Sequence, residues 1–161
     1  MNVDKVFIIN LERRTDRKQQ TSKELERVGI KNYEFFPAIE PKNLTVIEKW
    51  NPNFLKKRPK WLENKSIEYY NKYRLGALGC LMSHAAVIDI ALKRNYKRIL
   101  ILEDDIFFKT EKKISNYKHL NTVLKYQCDL LRKKNHSLAH QLNNFDILYL
   151  GGSCCSNGTS M

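Results

Sequence analysis

Two kinds of apolar spacing alternate along this chain. Short runs at residues 6–11, 33–39, 99–102 and 145–150 read as strands, each bounded by charge, proline or glycine. In 6–9 and 99–102 the apolar residues follow one another without alternation, which predicts strands buried on both faces, as in a parallel sheet. The first of them belongs at the centre of that sheet.

Between the strands the spacing changes to helical. Thr21, Leu25 and Val28 share one face of a helix that Thr15 would cap, with Asp16 in its first turn and Gly29 as a left-handed stop. Residues 66–73 predict a helix, and the glycines of 74–79 break it. A second helix runs over 80–94, with Cys80, His84, Val87, Ile88 and Ala91 as its inward stripe and Asn95 as its stop. Residues 112–136 predict a long amphipathic helix through Ile114, Tyr117, Leu120, Leu124, Cys128 and Leu131. After the last strand, Gly151 and Gly152 allow a turn and a close backbone approach. Strand–helix–strand steps of this kind define an α/β, three-layer fold with a mostly parallel central sheet.

The stretch from about 40 to 64 departs from both patterns. It holds three of the four prolines and both tryptophans, and only Val46 and Ile47 suggest a short helix. It reads as a surface excursion within a single domain spanning 1–161. The length suits one domain with a real core, and no internal repeat or low-complexity segment interrupts it.

Composition narrows the class only a little. The formal net charge is +12, which suits nucleic acid, anionic lipid or a phosphorylated substrate. The lysines are dispersed among Asn and Ile, with no zinc finger, RNP-type motif or arginine run, so a basic nucleic-acid-binding domain is the weaker alternative. Cys80, Cys128, Cys154 and Cys155 lack paired metal spacing and read as reduced thiols. His119, His136 and His140 have no ligand-like spacing and read as surface residues. No apolar run approaches the roughly 20 residues of a membrane span, and the opening residues lack a secretory leader. Together these predict a cytoplasmic protein.

The chemistry concentrates where strands end. Glu103, Asp104 and Asp105 close the third strand, on the rim where open α/β sheets bind ligands. Three neighbouring acids need a cation or several donors, and oxygen ligands suit Mg²⁺ or Mn²⁺. The alternative is a strand leaving the core into solvated charge. After the first strand, Arg13, Arg14 and Arg17 stand beside a helix start, a place that suits a diphosphate. The alternative there is a solvated basic turn. Ser83 and His84 either face a ligand or, as a lone inward histidine and its neighbour more often do, belong to the core.

Four stretches in order carry a resemblance. Ile8-Ile-Asn10-Leu11-Glu-Arg13-Arg14-Thr-Asp16-Arg17 resembles the opening signature of glycosyltransferase family 25. Gly79-Cys80-Leu-Met-Ser83-His84 resembles its Gly-Cys-x-x-Ser-His segment, 101–105 its acidic motif, and 145–152 its later strand and turn. That family includes lipopolysaccharide glycosyltransferases and collagen galactosyltransferases.

The resemblance implies a GT-A, Rossmann-like fold and transfer of a hexose from a nucleotide sugar, such as a UDP-hexose, with inversion. By the same likeness Asp105 would bind Mn²⁺ or Mg²⁺, with Asp104 near the metal or donor sugar and Glu103 near the ribose or a metal-bound water. Asn10, Leu11, Arg14 and Arg17 would line the nucleotide pocket, with Arg17 reaching a phosphate or bracing the loop through Asp16. Ser83 and His84 would border the donor site. Only 153–161 follow the Gly151-Gly152 turn, so the chain is expected to be a C-terminally truncated member. An inverting transfer needs a general base, and Asp146 is its one weak candidate. A catalytically inactive nucleotide-sugar-binding domain is therefore an alternative. The acceptor would be a glycan, a lipopolysaccharide or a collagen-like protein. A phosphate-bearing acceptor suits peripheral contact with an anionic membrane, and a viral source is compatible.

Overall fold

Residues 3–108 of the chain are described by a computed structural model. The expectations for 112–136, 145–150, Asp146, Gly151, Gly152, the three later histidines and the three later cysteines lie outside them.

β1 (Lys5–Asn10) is the middle strand of a three-stranded sheet ordered β2-β1-β3. Val6, Phe7 and Ile8 have no exposed surface, as an unbroken apolar run in a strand covered on both faces requires. α1 (Thr15–Val28) follows and buries Thr21, Leu25 and Val28. Gly29 ends it at φ 80°, a left-handed geometry in which a Cβ would be strained. β2 (Tyr33–Pro37) then pairs parallel with β1, Val6 opposite Tyr33. β3 (Ile99–Glu103) pairs parallel with the other side of β1, Lys5 opposite Ile99 and Ile9 opposite Glu103.

Winding out to β2 and back to β3 puts helices on opposite faces, because alternate residues of each strand serve opposite layers. Val6, Ile8, Leu100 and Leu102 pack with Leu25 and Val28 of α1. Phe7, Ile9, Ile99 and Ile101 pack with Val87 and Ile90 of the long helix that precedes β3. The result is a three-layer, Rossmann-like α/β fold. β3 differs from its sequence reading: its apolar residues are half-buried rather than buried on both faces. Among the described residues it pairs only with β1.

The excursion carries α2 (Thr45–Trp50), which is the short helix suggested at Val46 and Ile47, and one 3₁₀ turn at Lys60–Leu62. Ile47 and Leu62 are buried, Trp50 stacks edge-on against Phe54, and Trp61 against Tyr73. The excursion is thus pinned to the helix that follows.

That helix, α3 (Ile67–Lys93), is continuous. The expected break at 74–79 does not occur. Ser66 caps it by accepting the Tyr69 N–H at 3.1 Å, and Asn95 follows its end at φ 55°. Two interior glycines cost about 1 kcal/mol each in propensity, less than the packing of a 27-residue helix restores. The buried stripe is also displaced. Gly79, Ser83, Val87 and Ala91 face inward, while Cys80 and Ile88 are exposed.

α3 also corrects the reading of membrane-span length. Its most apolar 18-residue window reaches a mean hydropathy of 1.8, long and apolar enough to cross a membrane by length and composition. Isolated polar residues such as Ser83, His84 and Asp89 interrupt the apolar runs without lowering the average far. Here the helix is the crossover before β3, and Val87 lies in the core beside Phe7 and Ile9.

Candidate active site

The strand order reverses at β1, so a crevice opens between the carboxyl ends of β1 and β3, where open α/β sheets take their ligands. Asn10 is the last residue of β1 and Glu103 the last of β3. The expected site residues on these two strands therefore do come together.

The turn after β1 is built from its own backbone. The Arg14 N–H donates to the Leu11 carbonyl at 2.7 Å, and the Asn10 side chain donates to the Arg14 carbonyl at 3.2 Å. Arg14, not Thr15, occupies the position before α1, and its side chain makes no capping hydrogen bond. The first turn is stabilised differently. Arg14 donates through Nε and Nη2 to both oxygens of Asp16, at 2.9 and 2.7 Å. That paired guanidinium, aided by the Arg17 and Asp16 backbone N–H groups, holds the Asp16 carboxyl well below the usual carboxylate range. The brace through Asp16 is thus Arg14's, where the sequence reading gave Arg17 either that part or a phosphate contact.

Arg17 reaches across the crevice instead. Its Nη1 donates to Asp104 Oδ1 at 2.9 Å and lies 3.4 Å from Asp105 Oδ2. The other Asp104 oxygen accepts the Asn10 amide at 2.8 Å, and the Asp104 carbonyl accepts the Thr21 hydroxyl at 2.7 Å. Asp104 is only 8% exposed. Its charge is satisfied by donors from β1 and α1, the second of the two arrangements that adjacent acids require.

The three acids consequently do not form one cluster. Strand alternation sends Glu103 to the α3 side, where its Oε1 lies 3.6 Å from Cys80 Sγ. Asp104 points to the α1 side and inward. Asp105 lies past the strand end with its side chain 61% exposed, beside Arg17. Asp104 is thus engaged by protein donors, while Glu103 and Asp105 are exposed on either side of it, Asp105 beside Arg17.

The Gly-Cys-x-x-Ser-His segment divides in the same way. Gly79 and Ser83 lie one helical turn apart on the buried side of α3. A Cβ on Gly79 would overlap the Ile39 carbonyl oxygen and approach Pro41 Cδ to 2.9 Å. Ser83 Oγ accepts the Ile39 N–H at 2.8 Å and donates to the Gly79 carbonyl at 2.6 Å. With 0% exposure and its hydroxyl engaged twice, Ser83 docks the chain after β2. Cys80 and His84 lie on the other side, toward Glu103. His84 Nδ1 is 3.0 Å from the Cys80 carbonyl and 3.7 Å from Cys80 Sγ. Partial desolvation on the α3 side, and the Glu103 carboxylate with it, push the Cys80 thiol above its usual range.

Three contributors escaped the sequence reading. Thr21 was legible as a polar residue on an apolar helical face, the one signal that it serves a buried partner. Gly79 read as a helix breaker because close approach leaves no mark in a single sequence. Glu24 fixes the chain beyond β3: it accepts the Phe108 N–H at 2.6 Å and pairs with Arg27 at 2.7 Å.

Residues 3–151 match the family described as "Glycosyltransferase family 25 (LPS biosynthesis protein)". A Drosophila melanogaster "Glycosyltransferase 25 family member" is 30% identical over 110 residues, 68% of this chain and 17% of the relative. "Putative glycosyltransferase R655" of Acanthamoeba polyphaga mimivirus is 32% identical over 133 residues, covering 79% of this chain and 36% of that protein. Mouse "Procollagen galactosyltransferase 2" is 29% identical over 133 residues, 80% of this chain and 20% of the relative. The aligned part of the chain thus spans about a sixth to a third of the length of these relatives. A family match over nearly the whole sequence, on a parallel sheet with its polar residues gathered at the switch point, places this chain in glycosyltransferase family 25.

Proposed function

We propose that the chain supplies the donor-binding part of a metal-dependent hexosyltransferase. It would transfer a hexose from a UDP-sugar, with inversion, to a glycan or collagen-like acceptor. The observation that carries this reading is the exposed Asp105 carboxylate just past the end of β3, with the Arg17 guanidinium of α1 3.4 Å away. The names of the procollagen galactosyltransferase relatives support galactose and a collagen-like acceptor, and the family's lipopolysaccharide description supports a glycan one.

The donor set fits a hard divalent ion held by one protein carboxylate. Mg²⁺-like ions are commonly bound by one or two carboxylates while substrate phosphates and water fill the remaining positions. Asp105 fits that part; Asp104, with each oxygen already accepting a donor, does not. Such an ion would offset charge on the departing nucleoside diphosphate and orient it.

The protein's own groups do the rest of the binding. Arg17 neutralises Asp104 and Asp105 together, so it stands within reach of an incoming phosphate on the same rim. Asn10 holds both the loop backbone and Asp104, which fixes the crevice floor beneath the nucleotide. His84 and Glu103 border the crevice on its α3 side.

Calorimetric titration of UDP with and without Mn²⁺ tests the proposal. Binding that needs Mn²⁺ and is lost in Asp105→Ala is the expected result. No heat under either condition overturns it, and Mn²⁺-dependent binding without hydrolysis or transfer would leave a binding domain rather than an enzyme.

A further inference from the structure

Cys80, His84 and Glu103 each offer one ligand atom, and the three atoms lie within 4.8 Å of one another. Two elements build the group. Cys80 and His84 stand one turn apart on α3, the spacing that brings helix side chains together, and Glu103 ends β3 opposite them. None of the three is needed by the core, and none takes part in the Asn10–Arg17–Asp104 clamp.

From this geometry we infer a Zn²⁺ site formed by the Cys80 thiolate, the His84 imidazole and the Glu103 carboxylate. A tetrahedral zinc with bonds of about 2.3 Å to sulfur and about 2.0–2.1 Å to nitrogen and oxygen separates its ligand atoms by about 3.4–3.6 Å. The Cys80 Sγ to Glu103 Oε1 distance is already 3.6 Å. His84 Nδ1 lies 3.7 Å from Cys80 Sγ and 3.0 Å from the Cys80 carbonyl. Binding through Nδ1 takes the neutral imidazole with its proton on Nε2 and replaces the carbonyl contact.

The donor set also selects the ion. Sulfur and imidazole nitrogen favour Zn²⁺ over Mn²⁺ or Mg²⁺, which prefer oxygen. The donor set therefore differs from the Asp105 carboxylate, and although His84 and Glu103 also border the proposed donor site, metal binding at the Cys80 thiolate is read separately from UDP binding. Three protein ligands leave a fourth position for water or another donor, and the ion would tie the end of β3 to the middle of α3.

Cobalt is the probe, because a thiolate on tetrahedral Co²⁺ gives a near-ultraviolet charge-transfer band. The full chain, reduced and stripped with chelator, is titrated with Co²⁺ and back-titrated with Zn²⁺. One Co²⁺ per chain, a thiolate band and displacement by Zn²⁺ are expected. Cys80→Ser should abolish the band, and His84→Ala and Glu103→Gln should each weaken Zn²⁺ binding at least tenfold. The Cys128→Ser/Cys154→Ser/Cys155→Ser variant should keep the band. Zn²⁺ should also raise the urea midpoint of the parent but not of Cys80→Ser, as a ligand bound to the native state must. A band that survives Cys80→Ser, no band in the parent, or His84→Ala and Glu103→Gln affinities equal to the parent's would each overturn the inference. Urea midpoints in chelator show whether each variant is folded.

Discussion

Asn10 donates its side-chain amide to Asp104 across 2.8 Å, joining the carboxyl ends of two strands whose residues are 94 positions apart. The bond is buried and its acceptor is shared with Arg17, so Asp104 acts as a clamp between β1, α1 and β3.

Asp104 and Asp105 should therefore separate cleanly on substitution. Asp104→Ala leaves the Asn10 amide without its buried acceptor and should cost about 1.5–3 kcal/mol, the range for hydrogen bonds to charged groups. Asp105→Ala alters an exposed side chain and should change stability by less than about 0.5 kcal/mol, while removing Mn²⁺-dependent UDP binding. Urea denaturation with calorimetry reads both, and equal stabilities for the two variants would refute the clamp.

The two glycines inside α3 should respond with opposite signs. Gly79→Ala forces a methyl group against the Ile39 carbonyl and should destabilise by about 1–3 kcal/mol, as overpacking does. Gly76 has nothing within 4 Å of an added Cβ among the described residues. Gly76→Ala should stabilise by about 0.5–1 kcal/mol through helix propensity alone. Thermal or urea unfolding of the two single variants decides the matter.

Ser83→Ala removes the acceptor for the Ile39 N–H and should cost about 1–2 kcal/mol. Because Ser83 has no exposed surface, UDP affinity measured on the folded variant should match the parent's. A loss of affinity without a loss of stability would restore Ser83 to the donor site.

Acid should loosen the chain beyond β3. The Arg27 guanidinium first, and the Phe108 N–H with it, hold the Glu24 carboxyl below its ordinary value of 4.5, against the opposing effect of burial. A carboxylate lowered on folding stabilises fully above its unfolded value and loses that contribution as pH falls through its folded one. Stability should decline below about pH 4.5, and Glu24→Gln should be less stable at neutral pH with a flatter acid limb. Urea midpoints from about pH 6 to about pH 3 provide the comparison.

Much of the sheet was legible because β1 declares itself: a strand with no polar residue from Val6 to Ile9 has only the centre of a covered sheet to occupy. The α1 stripe and the Gly29 stop were equally plain. α3 was misread for a physical reason. Gly79 and Ser83 look unfit for a buried face, yet smallness is what lets the helix approach Ile39. Scoring Cys80 and Ile88 as inward then shifted the stripe off its true face. For the acids the signal was present: alternation along an extended strand sends Glu103 and Asp104 to opposite sides. The partner of Asp104, however, lay in the first strand's turn, a contact that no local pattern announces.

The order β2-β1-β3 has a bearing on how the protein is made. A ribosome delivers β1, α1 and β2 first, and their pairing closes only a short loop of chain. The turn bearing Asn10 and Arg17 then waits, unclamped, until the distant third strand emerges and docks. During synthesis the crevice is therefore the last of these features to mature, and a nascent chain halted before residue 99 should retain its first βαβ unit yet have no place for a nucleotide.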